Sequence, residues 1–311
     1  MHYNFVVPDL PEPHRFFASM VLMGQSGTQV FDANHAVLAS PRDTATVALG
    51  TAATAPEWFG SYSISEDCEF RDDGSLLRFG EELEVQGTFP EFELSARLPG
   101  FELDLKLHCT DEITWFMRSA LYDHVSLPAR YSGTLRWQGE RLAVSGLCSF
   151  EHAQGVSAIS ILNRAVPPAL KLPVDLFTYQ VLKVDADTLL LLTHVLIAGR
   201  QLLNSAYVKE VGGTQSSRFH GVECEILGSS RDAALIAPDG RSTLVPLRYR
   251  WRFGDPSEDG FELELTPDTP LIYGLGSGWI GGASYEGRFH GREIAGSAYY
   301  EHADRRPRAS R

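Results

Sequence analysis

The sequence has few of the features that mark membrane, nucleic-acid-binding and secreted proteins. No apolar run approaches the roughly 18 residues that span a bilayer; runs such as Leu189 to Leu192 have the length of a strand. Basic residues are outnumbered, with 27 Lys and Arg against 40 Asp and Glu, and the net charge of -13 argues against a nucleic-acid partner. The N-terminus has no basic segment followed by an apolar one, so we expect no signal peptide and a cytoplasmic protein.

Patterns that hold metals or cofactors are also missing. The four cysteines form no C-x-x-C pair, and the ten histidines form no H-x-H or H-E-x-x-H motif. A G-x-G-x-x-G match at Gly276, Gly278 and Gly281 continues into a strand-like segment, whereas a dinucleotide fingerprint must open a helix. We therefore expect no metal and no cofactor.

The sequence does contain a strong two-residue alternation of apolar and polar residues. It is clearest in Phe101 to Leu107 and in Phe261 to Leu265, and Gly-containing turn signals separate such runs. This alternation is typical of antiparallel strands with one face in a core and the other in water. Helical signals are weak, with short candidates only near Pro168 to Leu172 and Gly199 to Ala206. The pattern predicts an all-β fold of barrels or sandwiches.

One set of motifs occurs twice in the same order. The first copy runs F-E-L-D-L from Phe101, Y-x-G from Tyr131, and G-x4-E-H-A ending at Ala153. The second runs F-E-L-E-L from Phe261, Y-x-G from Tyr285, and G-x4-E-H-A ending at Ala303. The repeat predicts two barrels built on one plan, at residues 1–163 and 164–303, with a disordered basic tail at 304–311.

Strand parity assigns faces to the two E-H pairs. His152 and His302 share a face with mainly apolar residues, whereas Glu151 and Glu301 point to the other side. We therefore expect each glutamate and histidine to find its partner elsewhere in the chain. The interior glycines Gly146 and Gly296 predict a bend, or the close approach of another group, because glycine weakens a plain strand.

The segment from Tyr131 to Gly155 resembles the signature that ends the first barrel in the hydroxyneurosporene synthase (carotenoid 1,2-hydratase) and AttH-like superfamily of lipocalin-like twin-barrel proteins. Here the acidic residue is Glu151 in place of Asp, and Gln154 replaces the usual tryptophan. The resemblance implies two tandem lipocalin-like antiparallel barrels and cofactor-free chemistry on apolar substrates, such as hydration or cyclisation. It places the motif's acid at Glu151 and its histidine at His152.

These observations predict an enzyme that binds an isoprenoid, polyketide or similar apolar molecule. Addition of water to an alkene needs a proton donor and a base in a dry cavity. The catalytic candidates are Glu151, His152, Glu301 and His302, and the substrate-binding candidates are Tyr131, Tyr285, His124 and His35. Two alternatives stay open: a non-catalytic carrier of a hydrophobic ligand, and a structural role for the E-H pairs where two barrels meet.

Overall fold

The computed structural model describes residues 1–156, 163–212 and 217–306, with the backbone alone at 230–233. The strands of the first half are β1 His2–Leu10, β2 Arg15–Met23, β3 Thr44–Gly50, β4 Phe59–Ser63, β5 Cys68–Phe70, β6 Leu76–Phe79, β7 Leu83–Thr88, β8 Glu91–Leu98, β9 Phe101–Cys109, β10 Thr114–Arg118, β11 Tyr122–Trp137 and β12 Glu140–Gly155. Those of the second half are β13 Val174–Lys183, β14 Thr188–Ile197, β15 Arg200–Glu210, β16 Ser217–His220, β17 Glu223–Ile236, β18 Ser242–Phe253, β19 Phe261–Pro267, β20 Ile272–Leu275, β21 Gly278–Phe289 and β22 Arg292–Asp304.

The two sheets follow the same plan. The first has the order β4-β3-β2-β1-β12-β11-β9-β8-β7-β6-β5, and the second has β16-β15-β14-β13-β22-β21-β19-β18-β17. In each sheet the first strand pairs with the last strand of its half, which curls the sheet on itself. The prediction of an all-β protein made of two barrel-like antiparallel halves is confirmed, and we call the halves barrel 1 and barrel 2.

The predicted division into domains at residues 163 and 164 stays a prediction. Residues 157–162 lie outside the described residues, as do 307–311 of the expected tail. Asp304 is the last residue of β22, and the amide of Arg305 donates to the carbonyl of Asp175 at 2.6 Å. Within the described residues no helix is long and apolar enough to cross a membrane.

Within the described part of the chain, 3-10 turns lie at Asn34–Ala36, Pro41–Asp43 and Pro168–Leu170. The helix candidate at Gly199 to Ala206 is wrong, because this segment begins strand β15. Ala198 and Gly199 both have positive φ, 49° and 71°, which makes the tight hairpin turn that sends β15 back along β14. The Gly-rich match at Gly276 to Gly281 enters strand β21, as the continuing strand pattern predicts.

The repeated glycines are explained by close approaches. Gly146 lies opposite Tyr131 and Gly296 opposite Tyr285. A Cβ atom at either glycine would lie 3.1 to 3.2 Å from the ring of its tyrosine. The ring therefore covers the glycine of the neighbouring strand in both barrels.

The glycine of each Y-x-G motif meets backbone instead. A Cβ at Gly133 would lie 1.9 Å from the carbonyl oxygen of Asp104, and one at Gly287 would lie 2.1 Å from that of Glu262. Both contacts are shorter than van der Waals contact, and carbonyl oxygens of a sheet cannot rotate away. Glycine is therefore required at both positions.

The two F-E-L runs lie on equivalent strands but not at equivalent positions. Tyr131 pairs with Leu107, the seventh residue from Phe101, whereas Tyr285 pairs with Leu265, the fifth residue from Phe261. Between the tyrosine and the turn, the β11–β12 hairpin of barrel 1 is therefore two residues longer on each strand than the β21–β22 hairpin of barrel 2. The two phenylalanines match in sequence because each begins its strand beside a turn.

The buried apolar side chains of the described residues form three cores. One fills barrel 1 and includes Phe17, Phe101 and Leu103, and a second fills barrel 2 and includes Trp251 and Phe261. The third lies between the barrels and includes residues of both halves, with Val6, Phe16, Val181 and Tyr299 among them. The outer faces of the first and last strands of each barrel thus pack against each other.

Candidate functional site at the barrel interface

The two E-H pairs are split between different environments, as strand parity predicts. Glu151 and Glu301 are both 2% exposed and lie between the barrels, whereas the two histidines face the barrel interiors. His152 stacks on Tyr3 at 4.5 Å between ring centroids, and the hydroxyl of Tyr249 lies 2.9 Å from Nδ1 of His302. The structure therefore brings the two glutamates together and separates them from the histidines.

Around the glutamates lies a buried polar group that we call the interface cluster. Its members come from β1, β11, β12, β13, β15 and β22, so both barrels contribute. They are Asn4, Ser126, Ser149, Glu151, Tyr179, Lys209, Tyr299 and Glu301. All are 4% exposed or less.

Glu151 of barrel 1 is held partly by barrel 2. Its Oε1 accepts hydrogen bonds from the hydroxyl of Tyr179 and from Oγ of Ser149, the latter at 3.1 Å. Burial raises the pKa of this carboxyl, while the bond from Tyr179 and the charge of Lys209 oppose the rise. A buried carboxyl of raised pKa can keep its proton near neutral pH and act as an acid.

Lys209 is the cationic member of the cluster and is fully buried. Its Nζ donates to the carbonyl of Ser126 at 2.7 Å and to the Oγ of Ser126 at 2.8 Å. Burial lowers the pKa of Lys209 to about 7, against the opposing charges of Glu151 and Glu112. The amine can therefore exchange a proton near neutral pH.

Two serine hydroxyls connect the lysine with the glutamate. The Oγ atoms of Ser126 and Ser149 lie 2.7 Å apart, and Ser149 in turn donates to Glu151. Lys209, Ser126, Ser149 and Glu151 thus form a continuous hydrogen-bonded chain. Such a chain can move a proton between the lysine and the carboxyl, because a hydroxyl both donates and accepts.

Glu301 has a different set of partners. Its Oε1 accepts from Nδ2 of Asn4 at 3.1 Å and from the hydroxyl of Tyr299 at 2.9 Å. Burial raises the pKa of this carboxyl well above its ordinary value, and the nearby charge of Glu151 raises it further. Glu301 therefore reaches barrel 1 through Asn4 just as Glu151 reaches barrel 2 through Tyr179.

The β10–β11 hairpin covers one side of the cluster. The ring of Phe116 lies 5.8 Å from that of Tyr179 and 4.9 Å from that of Tyr207, both on barrel 2. Buried polar atoms beside it have no hydrogen-bond partner among the described residues: Thr114 Oγ1, His124 Nε2 and both carboxyl oxygens of Glu112. Unsatisfied buried groups are costly, so these atoms offer hydrogen-bonding positions for a polar ligand group or water.

The same hairpin and the end of β12 carry apolar side chains that are exposed to solvent. They are Ile113, Met117, Leu121, Tyr122 and Val156. Met117 pairs with His124, and the amide of Val156 donates to the carbonyl of Leu121. An exposed apolar rim next to a buried polar cluster is typical of a site that accepts a largely apolar molecule.

The remaining predicted residues lie apart from the cluster, except for His124. Tyr131 and Tyr285 cover glycines inside their own barrels, and the hydroxyl of Tyr285 donates to the carbonyl of Lys183. His35 is exposed, with its ring 5.7 Å from that of Tyr273. His124 lies in the β10–β11 hairpin, and burial lowers its pKa to about 3.

Sequence reasoning missed Lys209, Tyr179 and the two serines. Lys209 stands near the end of β15, where a lysine is ordinarily solvated, and its contact with Ser126 joins residues 83 positions apart. A local pattern contains no signal of such packing. Tyr179 pairs with Glu301 across β13 and β22. Predicting this neighbour would have required the pairing and register of those two strands as well as their parity.

The fold and this buried cluster define a lipocalin-like twin-barrel protein with titratable groups at the barrel interface. Residues 20–311 match the model of a family of unknown function, DUF6670, and the chain belongs to that family. No curated protein matches the sequence.

Solved structures share the fold at low sequence identity. Kievitone hydratase from Nectria haematococca superposes with a TM-score of 0.63 and 11% identity, covering 97% of this chain and 88% of that chain. CghA with Sch210972 superposes with a TM-score of 0.55 and 8% identity, covering 97% and 87%. At these identities the likeness establishes the arrangement of the two barrels and not the chemistry.

Proposed function

We propose that the protein is an enzyme that performs acid–base chemistry without a cofactor on an apolar small molecule at the interface cluster. The reaction is a hydration or a cyclisation, which makes the protein a hydro-lyase or an isomerase. One observation carries the proposal: Glu151 is joined to Lys209 by an unbroken chain of hydrogen bonds through Ser149 and Ser126. Acids and bases with displaced pKa values that are coupled in this way are concentrated at catalytic sites.

For a hydration, each proton can be followed from donor to acceptor. Glu151 gives its proton to one alkene carbon, and the oxygen of a water molecule forms a bond with the other carbon. The added water loses a proton to the neutral amine of Lys209. That proton returns through the hydroxyls of Ser126 and Ser149 to the carboxylate of Glu151, so the enzyme is restored. In a cyclisation the second carbon is attacked by another part of the substrate instead of by water.

Two further observations support the choice of substrate and reaction. The exposed apolar rim around the β10–β11 hairpin suits an isoprenoid or polyketide skeleton. Among the proteins that share this fold, kievitone hydratase is by name a hydratase, and CghA was solved with the small molecule Sch210972. We likewise propose, from the motif at Tyr131 to Gly155, that the protein is related to the hydroxyneurosporene synthase-like enzymes.

A carrier of an apolar ligand is the second candidate, because the apolar rim alone would serve it. The two functions are separated by extracting the ligand that co-purifies with the protein and identifying it by mass spectrometry. The ligand is then incubated with the protein in heavy-oxygen water. An enzyme incorporates one labelled water or releases an isomer, whereas a carrier returns the ligand unchanged.

Glu151→Gln tests the assignment within the enzyme. The variant should bind the same ligand and melt close to the wild-type temperature, because glutamine keeps an oxygen that accepts from Tyr179 and Ser149. It should convert the ligand at least about 100-fold more slowly, because glutamine has no acidic proton. A large fall in melting temperature with unchanged turnover would show that Glu151 is structural.

A further inference from the structure

One cavity of this structure lies away from the interface cluster. It encloses about 700 Å³ at the open end of barrel 2, which we call the barrel-2 mouth. Barrel 2 provides Ser229, the start of β18 at Ser242–Leu244, and Asp304 to Arg306; the first half contributes Gln29, Asp32 and Asn34. This volume is within the range of small-molecule sites.

Charged groups around the mouth are mostly positive, although the protein as a whole carries a net charge of -13. The lining contains four cations, Lys171, Arg241, Arg305 and Arg306, against the two carboxylates of Asp32 and Asp304. A positive cavity in an acidic protein concentrates anions locally.

The carboxylates nearby are already engaged by other cations. Asp32 is buried and accepts from Lys171 at 2.9 Å, and Asp304 accepts from Nε of Arg306 at 2.9 Å. Asp239, behind the lining, accepts from Nε of Arg241 at 2.8 Å. The charge of Asp175 also acts on Arg306, so Arg305 is the cation of this group that has no hydrogen-bonded carboxylate among the described residues.

Arg305 is held in place but weakly neutralised. Its side chain is 9% exposed, and its Nε donates to Oγ of Ser277 at 2.8 Å. The nearest carboxylate contact is Asp239 at 3.9 Å, beyond hydrogen-bond distance, and Arg241 already occupies that carboxylate. A buried guanidinium without a close counterion is unfavourable, and an anionic ligand would relieve it.

Barrel 1 has no such feature at the same places. The register of β12 and β22 makes Gln154, Gly155 and Val156 equivalent to Asp304, Arg305 and Arg306. None of the three is charged. The cationic mouth is therefore specific to barrel 2 and is not a consequence of the shared fold.

We propose that the barrel-2 mouth is a binding site for a small molecule with a carboxylate or other oxyanion group, held by the guanidinium groups of Arg305 and Arg241. Planar guanidinium groups match such oxyanions in geometry as well as in charge. The site is separate from the interface cluster and does not depend on the function proposed there.

Isothermal titration calorimetry of the full chain tests this site with benzoate, octanoate, inorganic phosphate and the neutral benzamide. We expect one of the three anions to bind, benzamide not to bind, and Arg305→Gln to weaken binding at least about tenfold. Arg241→Gln should weaken binding similarly. Because Arg241 is half exposed, this variant should fold normally, and it tests the site even if Arg305→Gln misfolds. Arg292→Gln is the matched control, since Arg292 is exposed and paired with Asp185 elsewhere.

The anion that binds identifies the ligand class. Binding of benzoate or octanoate alone indicates a carboxylic acid with a carbon skeleton, and binding of phosphate alone indicates a phosphorylated compound. Glu151→Gln should leave the titration unchanged, which separates this site from the interface cluster. The proposal is overturned if none of the three anions binds, or if both arginine variants bind as tightly as the wild type.

Discussion

Barrel 1 and barrel 2 share a strand order but differ at equivalent positions. Inside barrel 1, the end that holds His152 is formed by apolar and aromatic residues, Tyr3, Phe5, Val21, Val47, Phe92 and Phe150. The equivalent residues of barrel 2 are Thr178, Gln180, His194, Asn204, Tyr249 and Tyr300. At this end the interior of barrel 2 is polar, whereas that of barrel 1 is apolar.

On the faces that lie between the barrels, barrel 1 is the more polar of the two. Glu151 has Ser149 and Ser126 beside it, whereas the equivalent neighbours of Glu301 are Tyr299 and Ile280. Among the described residues, the hydrogen-bonded chain to Lys209 therefore exists only for the glutamate of barrel 1. The two copies therefore share their backbone requirements, whereas the proposed proton transfer depends on groups that accompany the glutamate of barrel 1.

The largest effect should come from Lys209→Met, which breaks the proton chain without changing the first neighbours of Glu151. We expect turnover to fall by about 100-fold or more. The wild-type rate should change near pH 7, where Lys209 titrates, and the variant should lack this step in its pH–rate profile. If the pH–rate profile of Lys209→Met keeps the step near pH 7, another group titrates there. The proposed difference between Glu151 and Glu301 would then lose its basis.

Gly133→Ala and Gly287→Ala should be the most damaging to stability, and Gly287→Ala the more so, because its φ of 147° adds backbone strain to the steric overlap. Each Cβ would overlap a carbonyl oxygen of the neighbouring strand, so we expect losses of about 2–3 kcal/mol in the free energy of unfolding. Gly139→Ala, at a turn with φ of 85° and open space, is the control and should cost about 1 kcal/mol. Chemical denaturation measures all three, and a small loss at either Y-x-G glycine would show that the copies are not packed alike.

Tyr249→Phe gives barrel 2 the residue that barrel 1 has at Phe92. The change removes the hydroxyl that lies 2.9 Å from Nδ1 of buried His302. We expect a loss of about 1–2 kcal/mol, because a buried polar atom loses its partner. Urea denaturation measures this loss, and Phe92→Leu in the same assay measures the effect of packing alone. If Tyr249→Phe is as stable to urea as the wild type, the polar interior of barrel 2 does not contribute to stability through this hydroxyl.

The smallest effect concerns pH. Glu301 has a pKa near 4.5 when unfolded and well above this when folded, so the native state binds the extra proton. Its contribution to stability is complete below the unfolded pKa and is lost as pH rises through the folded pKa. Glu301→Gln retains the acceptor for Asn4 and Tyr299 but cannot titrate.

The stability of the wild type relative to Glu301→Gln should therefore fall as pH rises above the unfolded pKa of 4.5. The difference between the two proteins is the quantity to measure, since several buried histidines have lowered pKa values and act in the opposite direction below about pH 6.5. A difference that is constant with pH would mean that Glu301 is ionised in the folded state.

The sequence predicted the parts of this architecture that are local. Alternation and turn residues gave the strands, and parity put His152 and His302 inside and the glutamates outside their barrels. The cluster could not be predicted in the same way, since Tyr179, Lys209 and Ser126 meet only when two barrels pack face to face. The charge of the barrel-2 mouth likewise depends on which carboxylates the arginines already hold.

The most direct test of the account is the turnover of Glu151→Gln beside that of Glu301→Gln on the co-purified substrate. Both changes are isosteric and both sites are equally buried, so they differ mainly in the chain to Lys209. We predict that kcat falls by about 100-fold or more for Glu151→Gln and stays within about threefold of wild type for Glu301→Gln. Equal losses in the two variants would contradict the division of chemistry between the barrels.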